Sequence, residues 1–261
     1  MTCQSPQVSI EPARQRQPVV LMYHSVAPYA EDPYQVTVSP QRFEQQMRWL
    51  DRRGLRGVSM AELLAARRHQ CDAGLVGLTF DDGYDDFPRY ALPVLQRYGF
   101  SATAFVIAGR LGGVNVWDVR GPRKTLMTAA QVRAAMAAGI EIGSHGLRHV
   151  TLNYAADPAL IREQRLSRRI LQDITGSAIG GFCYPYGQLD GRVVDGVRDA
   201  GYDYACAIWT SELTGQYAMP RMYVGDADGA TRLRAKWLRH RLTSANAKTA
   251  EMHEPGLRRT A

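Results

Sequence analysis

The sequence predicts an α/β protein built on a parallel sheet, open or closed into a barrel. Three observations carry this reading. Apolar runs of strand length alternate with helical patterns about seven times along the chain. The length of 261 residues is close to the roughly 250 typical of a (β/α) barrel. The unusual polar residues fall directly after strand-like runs, where such barrels carry their reacting groups.

Composition sets the bounds. Apolar residues make up 45% of the chain and charged residues 22%, as in a soluble globular protein able to bury a sizeable core. No apolar run is long enough to span a membrane. The leader up to Pro18 is polar and lacks the apolar centre of a secretory signal, so the expected compartment is the cytoplasm. Net charge is +7, and residues 231–261 carry +6 of it. The body is therefore nearly neutral, which argues against a nucleic-acid-binding fold. Cys3, Cys71, Cys183 and Cys206 show no CxxC spacing. Cys183 and Cys206 read as small buried hydrophobes rather than parts of a disulfide framework.

The elements follow in order. Residues 1–17 form a leader. Pro18 to Tyr23 is the first strand, with His24-Ser25 at its end. A polar loop follows until Ser39-Pro40, an N-cap and first-turn proline, opens a helix with Phe43, Met47 and Leu50 on its apolar face. Met60 to Arg67 is a short second helix. The stretch Gly74 to Tyr84 opens as the central buried strand and ends in Asp81-Asp82-Gly83, and a helix from about Phe87 to Tyr98 stops at Gly99. Ser101 to Ile107 is a strand, and residues 109–126 form a loop containing Trp117-Asp118. Thr128 caps a helix to Ala138, and Ile140 to Ser144 is a strand running into His145. A long helix spans Pro158 to Ile174, followed by the strand 180–184 and the turn Pro185-Tyr186-Gly187. A helix from Asp190 to Ala200, strands over 202–209 and 219–224, and a helix over 230–240 complete the domain, set at 18–242. Residues 243–261 are polar and basic and read as a disordered tail.

The chemistry centres on Thr79-Phe80-Asp81-Asp82-Gly83. Two adjacent carboxylates at the end of a core strand repel each other and call for a counter-charge, such as a metal ion. The bland alternative is a solvated Asp-Gly turn. His145 and His149 share the segment Ser144-His145-Gly146-Leu147-Arg148-His149, and their spacing puts both imidazoles on one side of a helical turn. Two imidazoles and a carboxylate make a face for Zn²⁺ or a similar divalent ion. His24 and the Pro185-Tyr186-Gly187 turn occupy two further strand ends. Trp117, Tyr184 and Trp209 could offer flat apolar faces, though each such residue is more often simply core.

These motifs resemble the polysaccharide deacetylases, the NodB-homology family of carbohydrate esterases, from about Pro18 to Val224. The resemblance implies a distorted (β/α)₇ barrel. It implies Asp81 as catalytic base, with Asp82, His145 and His149 as metal ligands, and Zn²⁺, Co²⁺, Mn²⁺ or Ni²⁺ as the ion. Phe182-Cys183-Tyr184-Pro185-Tyr186-Gly187 is similar to the third motif, which walls the groove, with the Tyr186 N–H facing the oxyanion. That motif usually carries an arginine that holds the base. Cys183 stands there instead, and Arg221 is the candidate to take over. The late Leu-x-His motif, the family's usual source of the acid, is expected to be missing after residue 209. Leu21-Met22-Tyr23-His24-Ser25 looks like the early motif of a permuted branch acting on poly-N-acetylglucosamine, in which the early histidine is the acid. The implied partner is an N-acetylated saccharide. The positive charge of the C-terminal segment suits weak contact with a membrane surface or, more simply, a solubilising tail. An amide or imide hydrolase of a small nitrogenous compound, and a non-catalytic carbohydrate binder, are the rival readings.

Overall fold

Four consecutive apolar residues, Val20–Tyr23, form the first strand, β1, and all four are buried. The computed structural model that shows this describes residues 17–250, so the leader at 1–16 and the tail end at 251–261 lie outside the described residues. Two short strands, β2 (Ser25–Val26) and β3 (Thr37–Val38), pair in parallel beyond β1. Helix α1 (Pro40–Asp51) starts at the foreseen cap: the Arg42 N–H donates to Ser39 Oγ. Its Phe43, Met47 and Leu50 are buried.

Strand β4 (Arg56–Val58) was not foreseen, because Arg-Gly-Val shows no alternation. Its Gly57 lies so close to Leu78 and Phe100 that a Cβ would collide with both. Then come α2 (Met60–Arg68) and β5 (Leu75–Phe80). The helix expected over 87–98 is a wide π turn over 87–91 leading into α3 (Leu92–Arg97). Pro93 explains the widening, since it can donate no hydrogen bond to the preceding turn. Strand β6 (Thr103–Val106), helix α4 (Ala129–Ala137) with a Thr128–Gln131 capping box, and strand β7 (Glu141–Ser144) follow. The long helix expected over 158–174 is α5 (Asp157–Ile161), a second π turn and α6 (Ser167–Thr175). Strand β8 (Gly181–Cys183), α7 (Gly191–Asp199), β9 (Tyr204–Cys206), β10 (Met222–Tyr223) and α8 (Ala230–Ala250) complete the order. Helix α8 continues through Ala250, so the tail expected to be disordered from residue 243 is helical for its first eight residues.

Every strand pairing is parallel, in the order β10-β1-β5-β6-β7-β8-β9, with β4 added beside the start of β5. Met219, just before β10, bridges to Cys206 of β9, so the sheet curls round to meet itself. This is the distorted (β/α) barrel. Alternate residues split the core. Leu21, Tyr23, Leu78, Phe80, Ala104 and Phe182 face outward to the helices. Val20, Phe105, Cys183, Tyr204, Cys206 and Met219 face inward, with Met60 and Leu63 of α2 against them. Cys183 and Cys206 are both fully buried and free. Because all strands run one way, their C-terminal ends open at one mouth.

Candidate metal and catalytic site

Four strand ends and one strand start deliver the site. After β5, Asp81 continues the strand, its N–H donating to Tyr23 O at 2.9 Å. Asp82 then adopts a left-handed backbone with φ 71°, and both carboxylates are buried. After β7, the His145 N–H donates to Val106 O at 2.8 Å. The segment from His145 to His149 is not the helical turn the spacing suggested. It is a loop, with Gly146 at φ 77° and His149 at φ 63°. Glu163, fully buried beneath it, holds it in place. One Glu163 oxygen accepts the Leu147 and Arg148 N–H groups at 2.8 and 3.0 Å, and the other accepts Arg148 Nε at 2.9 Å. Nothing local in the sequence marked Glu163 for this task.

The two histidines meet all the same. Their ring centroids are 5.0 Å apart. His145 Nε2 lies 3.4 Å and His149 Nε2 3.3 Å from the same Asp82 oxygen, Oδ1. The three atoms lie within 4.8 Å of one another, and all three residues are buried. His145 Nδ1 contacts Cys183 O at 2.9 Å. A carbonyl can only accept, so Nδ1 carries a proton and Nε2 is the nitrogen turned towards Asp82.

Two features test whether a cation fits. Asp82 Oδ1 is buried without a hydrogen-bond partner, at a cost of about 1–3 kcal/mol that a bound cation would remove. Two of the three ionisation states also suit one; for His145, burial is outweighed by Cys183, Asp82 and Asp81, which raise its imidazole well above the ordinary value, so a cation has to displace its Nε2 proton. Burial pulls the His149 imidazole down to about 3, which keeps it neutral. Burial works against charge on Asp82, but His145, His149 and His24 outweigh it and hold its carboxyl well below the usual range. A neutral imidazole and an ionised carboxylate are what metal ligation requires. Asp81, His145 and Cys183 also cluster. That trio already has its cation in Arg221.

Arg221, one residue before β10, reaches across the barrel interior. Its Nη1 and Nη2 donate to Asp81 Oδ1 and Oδ2 at 2.7 and 2.8 Å. Nη1 also donates to Thr79 Oγ1 at 3.0 Å, and Nη2 lies 3.0 Å from Cys183 Sγ. Burial would raise the Asp81 carboxyl, yet the Arg221 guanidinium overcomes it and keeps the group below its ordinary value. On the other side His24 Nε2 stands 3.9 Å from Asp81 Oδ2. His24 Nδ1 is buried with no hydrogen-bond partner.

Aromatic rings wall the His149 side. Trp117 stacks on the His149 ring at 4.5 Å, and Tyr186 meets it edge-on at 4.5 Å. Tyr186 itself has φ 59°. Trp209 is exposed beyond β9, whereas Tyr184 is buried and bonded to Tyr217 O, so Tyr184 offers no face to a sugar. Contrary to the expected absence, Leu238-Arg239-His240 does carry the Leu-x-His spacing. It lies on α8, with His240 Nε2 3.2 Å from Gln17 O, at the end of β1 opposite the mouth. The structure thus gathers His24, Asp81, Asp82, His145, His149, Tyr186 and Arg221 at one mouth.

The family model for polysaccharide deacetylase matches residues 69–205. The chain is 28% identical over 221 residues to YxkH of Bacillus subtilis (strain 168), covering 81% of this chain and 74% of that protein. It is 22% identical over 214 residues to the poly-beta-1,6-N-acetyl-D-glucosamine N-deacetylase of Staphylococcus aureus (strain MSSA476), over 77% and 72% of the two. Two solved structures share its fold. IcaB from Ammonifex degensii matches with a TM-score of 0.68 at 24% identity, over 85% of this chain and 97% of that one. The Streptococcus pyogenes deacetylase PplD, in complex with acetate, matches with a TM-score of 0.71 at 22% identity, over 84% and 97%.

Proposed function

The chain belongs to the polysaccharide deacetylase family, and from that premise we propose that it hydrolyses the acetamide of an N-acetylated saccharide in a metal-dependent reaction, releasing acetate and a free amino sugar. The observation that carries this is the pairing of an Arg221-held Asp81 with the buried Asp82, His145 and His149 trio beside it.

Asp82, His145 and His149 would hold a divalent ion, Zn²⁺ by the donor set, which when bound supplies Lewis acidity to the amide carbonyl and to water. Asp81, kept ionised by Arg221, accepts the proton of the attacking water. The Arg221 fork fixes which way the Asp81 oxygens point, so the base meets the water without first reorienting. The Tyr186 backbone N–H donates to the oxyanion as the carbonyl carbon becomes tetrahedral. His24, beside Asp81, gives a proton to the departing amine, which cannot leave as an anion. The exposed rings of Tyr186 and Trp209 suit a sugar face. The named activity of the Staphylococcus aureus relative points to β-1,6-linked N-acetylglucosamine polymers as the first substrate to try.

The test is acetate release from poly-β-1,6-N-acetylglucosamine and from N-acetylated chitin oligomers. It is run on chelated protein and again after adding Zn²⁺, Co²⁺ or Mn²⁺. Metal-restored release is expected. No acetate from any N-acetylated saccharide, or release untouched by chelation, would overturn the proposal.

A further inference from the structure

Among the described residues, His24 has no hydrogen bond that sets its ring. Nδ1 is buried without a partner, and Nε2 is 3.9 Å from Asp81, too far for a hydrogen bond. What holds it in place is the packing around the ring and the backbone on either side. On one side β1 is fixed in the sheet by pairing with β5 and β10. On the other side lies a polar network.

Ser25, the next residue, is fully buried. Its hydroxyl donates to Asp86 Oδ2 at 2.5 Å. The Val26 N–H donates to the other oxygen, Asp86 Oδ1, at 3.2 Å. Ser25 Oγ also accepts from Lys124 Nζ at 2.7 Å, and the same ammonium donates to Thr37 Oγ1 at 2.5 Å. A single buried hydroxyl thus sits between a carboxylate and an ammonium. Asp86 is only five residues beyond Asp81, on the same strand exit. Lys124 comes from the 109–126 loop, where Asn115 Oδ1 accepts the Lys124 N–H at 2.7 Å and Asn115 Nδ2 donates to Asp118. The loop carrying Trp117 and the exit carrying Asp81 and Asp82 are both tied to the residue after His24.

A buried carboxylate and a partly buried lysine are costly to place in a core. Asp86 is pushed up to about 6, by burial first, and burial also lowers Lys124. Holding β2 on β3 does not by itself require two charges.

We propose that Asp86, Ser25 and Lys124 are positioning residues, which fix the His24 imidazole against Asp81 so that it can protonate the leaving amine. This rests on the reading of His24 as the acid. The network does not touch the substrate; it acts through the backbone at Ser25–Val26.

The test compares two acetyl substrates. An N-acetylglucosamine oligomer needs its amine protonated as it leaves. p-Nitrophenyl acetate does not, because the phenolate leaves unaided. Ser25→Ala removes the bridging hydroxyl. Asp86→Asn removes a buried charge while keeping one acceptor, so it remains informative if Ser25→Ala fails to fold. His24→Ala is the reference. Metal content is measured in each.

With metal content at the wild-type level, amide kcat should fall about 10- to 100-fold in Ser25→Ala and Asp86→Asn. Ester turnover should fall less than about threefold, since the base and the metal trio are untouched. A parallel fall of both activities would mean a merely structural role and overturn the inference, as would wild-type amide turnover. If His24→Ala splits amide from ester and the network variants do not, the inference alone fails. If His24→Ala shows no split, the assignment of the acid fails and the inference goes with it.

Discussion

Replacing Arg221 by methionine keeps most of the stem's volume and removes the guanidinium. The guanidinium gives five hydrogen bonds in the interior: two to Asp81 and one each to Thr79, Ala207 O and Cys183 Sγ. Breaking a buried pair from one side leaves an uncompensated charge, at about 3–5 kcal/mol. For a chain of this size that corresponds to roughly 10 °C in melting temperature. The deficit should also depend on pH, with a definite sign. In the wild type, Arg221 holds the Asp81 carboxyl below its ordinary value against the burial that would raise it. A lowered carboxyl stabilises the fold above its unfolded pKa, and that contribution is lost as pH falls through the folded value. Without Arg221, burial prevails and the folded state prefers the protonated acid. The deficit should therefore be largest near pH 7 and shrink towards pH 4. Urea unfolding of both proteins between pH 4 and 8, in chelator so that no divalent ion bears on Asp81, measures this directly. Amide turnover should be lost while metal content stays. A deficit under about 1 kcal/mol, or one that does not change with pH, would refute the reasoning.

Three further outcomes are expected. Asp82→Ala, His145→Ala and His149→Ala should each lose tightly bound divalent metal in the purified protein, and wild-type stoichiometry in all three would remove the proposed site. Glu163→Ala should free the 146–149 loop and weaken metal affinity about 10- to 100-fold, as for other groups that orient ligands, read by competition with a chelating dye. Asp86 is the case of opposite sign: its carboxyl is pushed up to about 6. Its contribution is fully present below the unfolded value and is lost as pH rises through 6. Wild type should therefore lose about 2 kcal/mol relative to Asp86→Asn between pH 4 and 7; a difference flat in pH would contradict this.

Much of this arrangement was legible because strand ends are local events. An apolar run that stops at Asp81-Asp82, or at His145, shows both the strand and the place where it opens. Ser39-Pro40 and Thr128 likewise mark their helices. What stayed hidden depends on distant groups. The spacing of His145 and His149 fits a helical turn, but Glu163 claims the Leu147 and Arg148 N–H groups and holds a loop instead. Arg221 was readable as an arginine able to cross a barrel; its fork on Asp81, 140 residues away, is a property of the closed sheet. Ser25, Asp86 and Lys124 have no signature, because each is unremarkable until the other two are beside it. The widened turns at 87–91 and 162–166 keep the hydrophobic spacing of a helix, so periodicity could not separate them from one.

The backbone at the mouth shows how three strand exits serve one centre. Among the described residues, five non-glycine residues have positive φ, and Asp82, His149 and Tyr186 are three of them. Along an extended strand successive side chains alternate between faces. Asp81 points into the barrel, as its bonds to Arg221 show. Had the chain stayed extended, Asp82 would point outward to the helices. The left-handed turn at Asp82 breaks the alternation and lets both carboxylates share the mouth. Gly83 follows with φ 70°, so two consecutive left-handed residues turn the chain, and the Asp-Gly pair tolerates this well. Tyr186-Gly187 repeats the device, with φ 59° and 66°, using a residue far less suited to it. Each such residue costs about 1–3 kcal/mol unless its surroundings hold it. Tyr186 is held by its ring against His149, and His149 by Trp117 and Tyr186 together. The strain and the ring contacts thus belong to one structure: a loosened Tyr186 turn would release the face of His149 that its ring covers. The turn at the third exit and His149 at the second are set together.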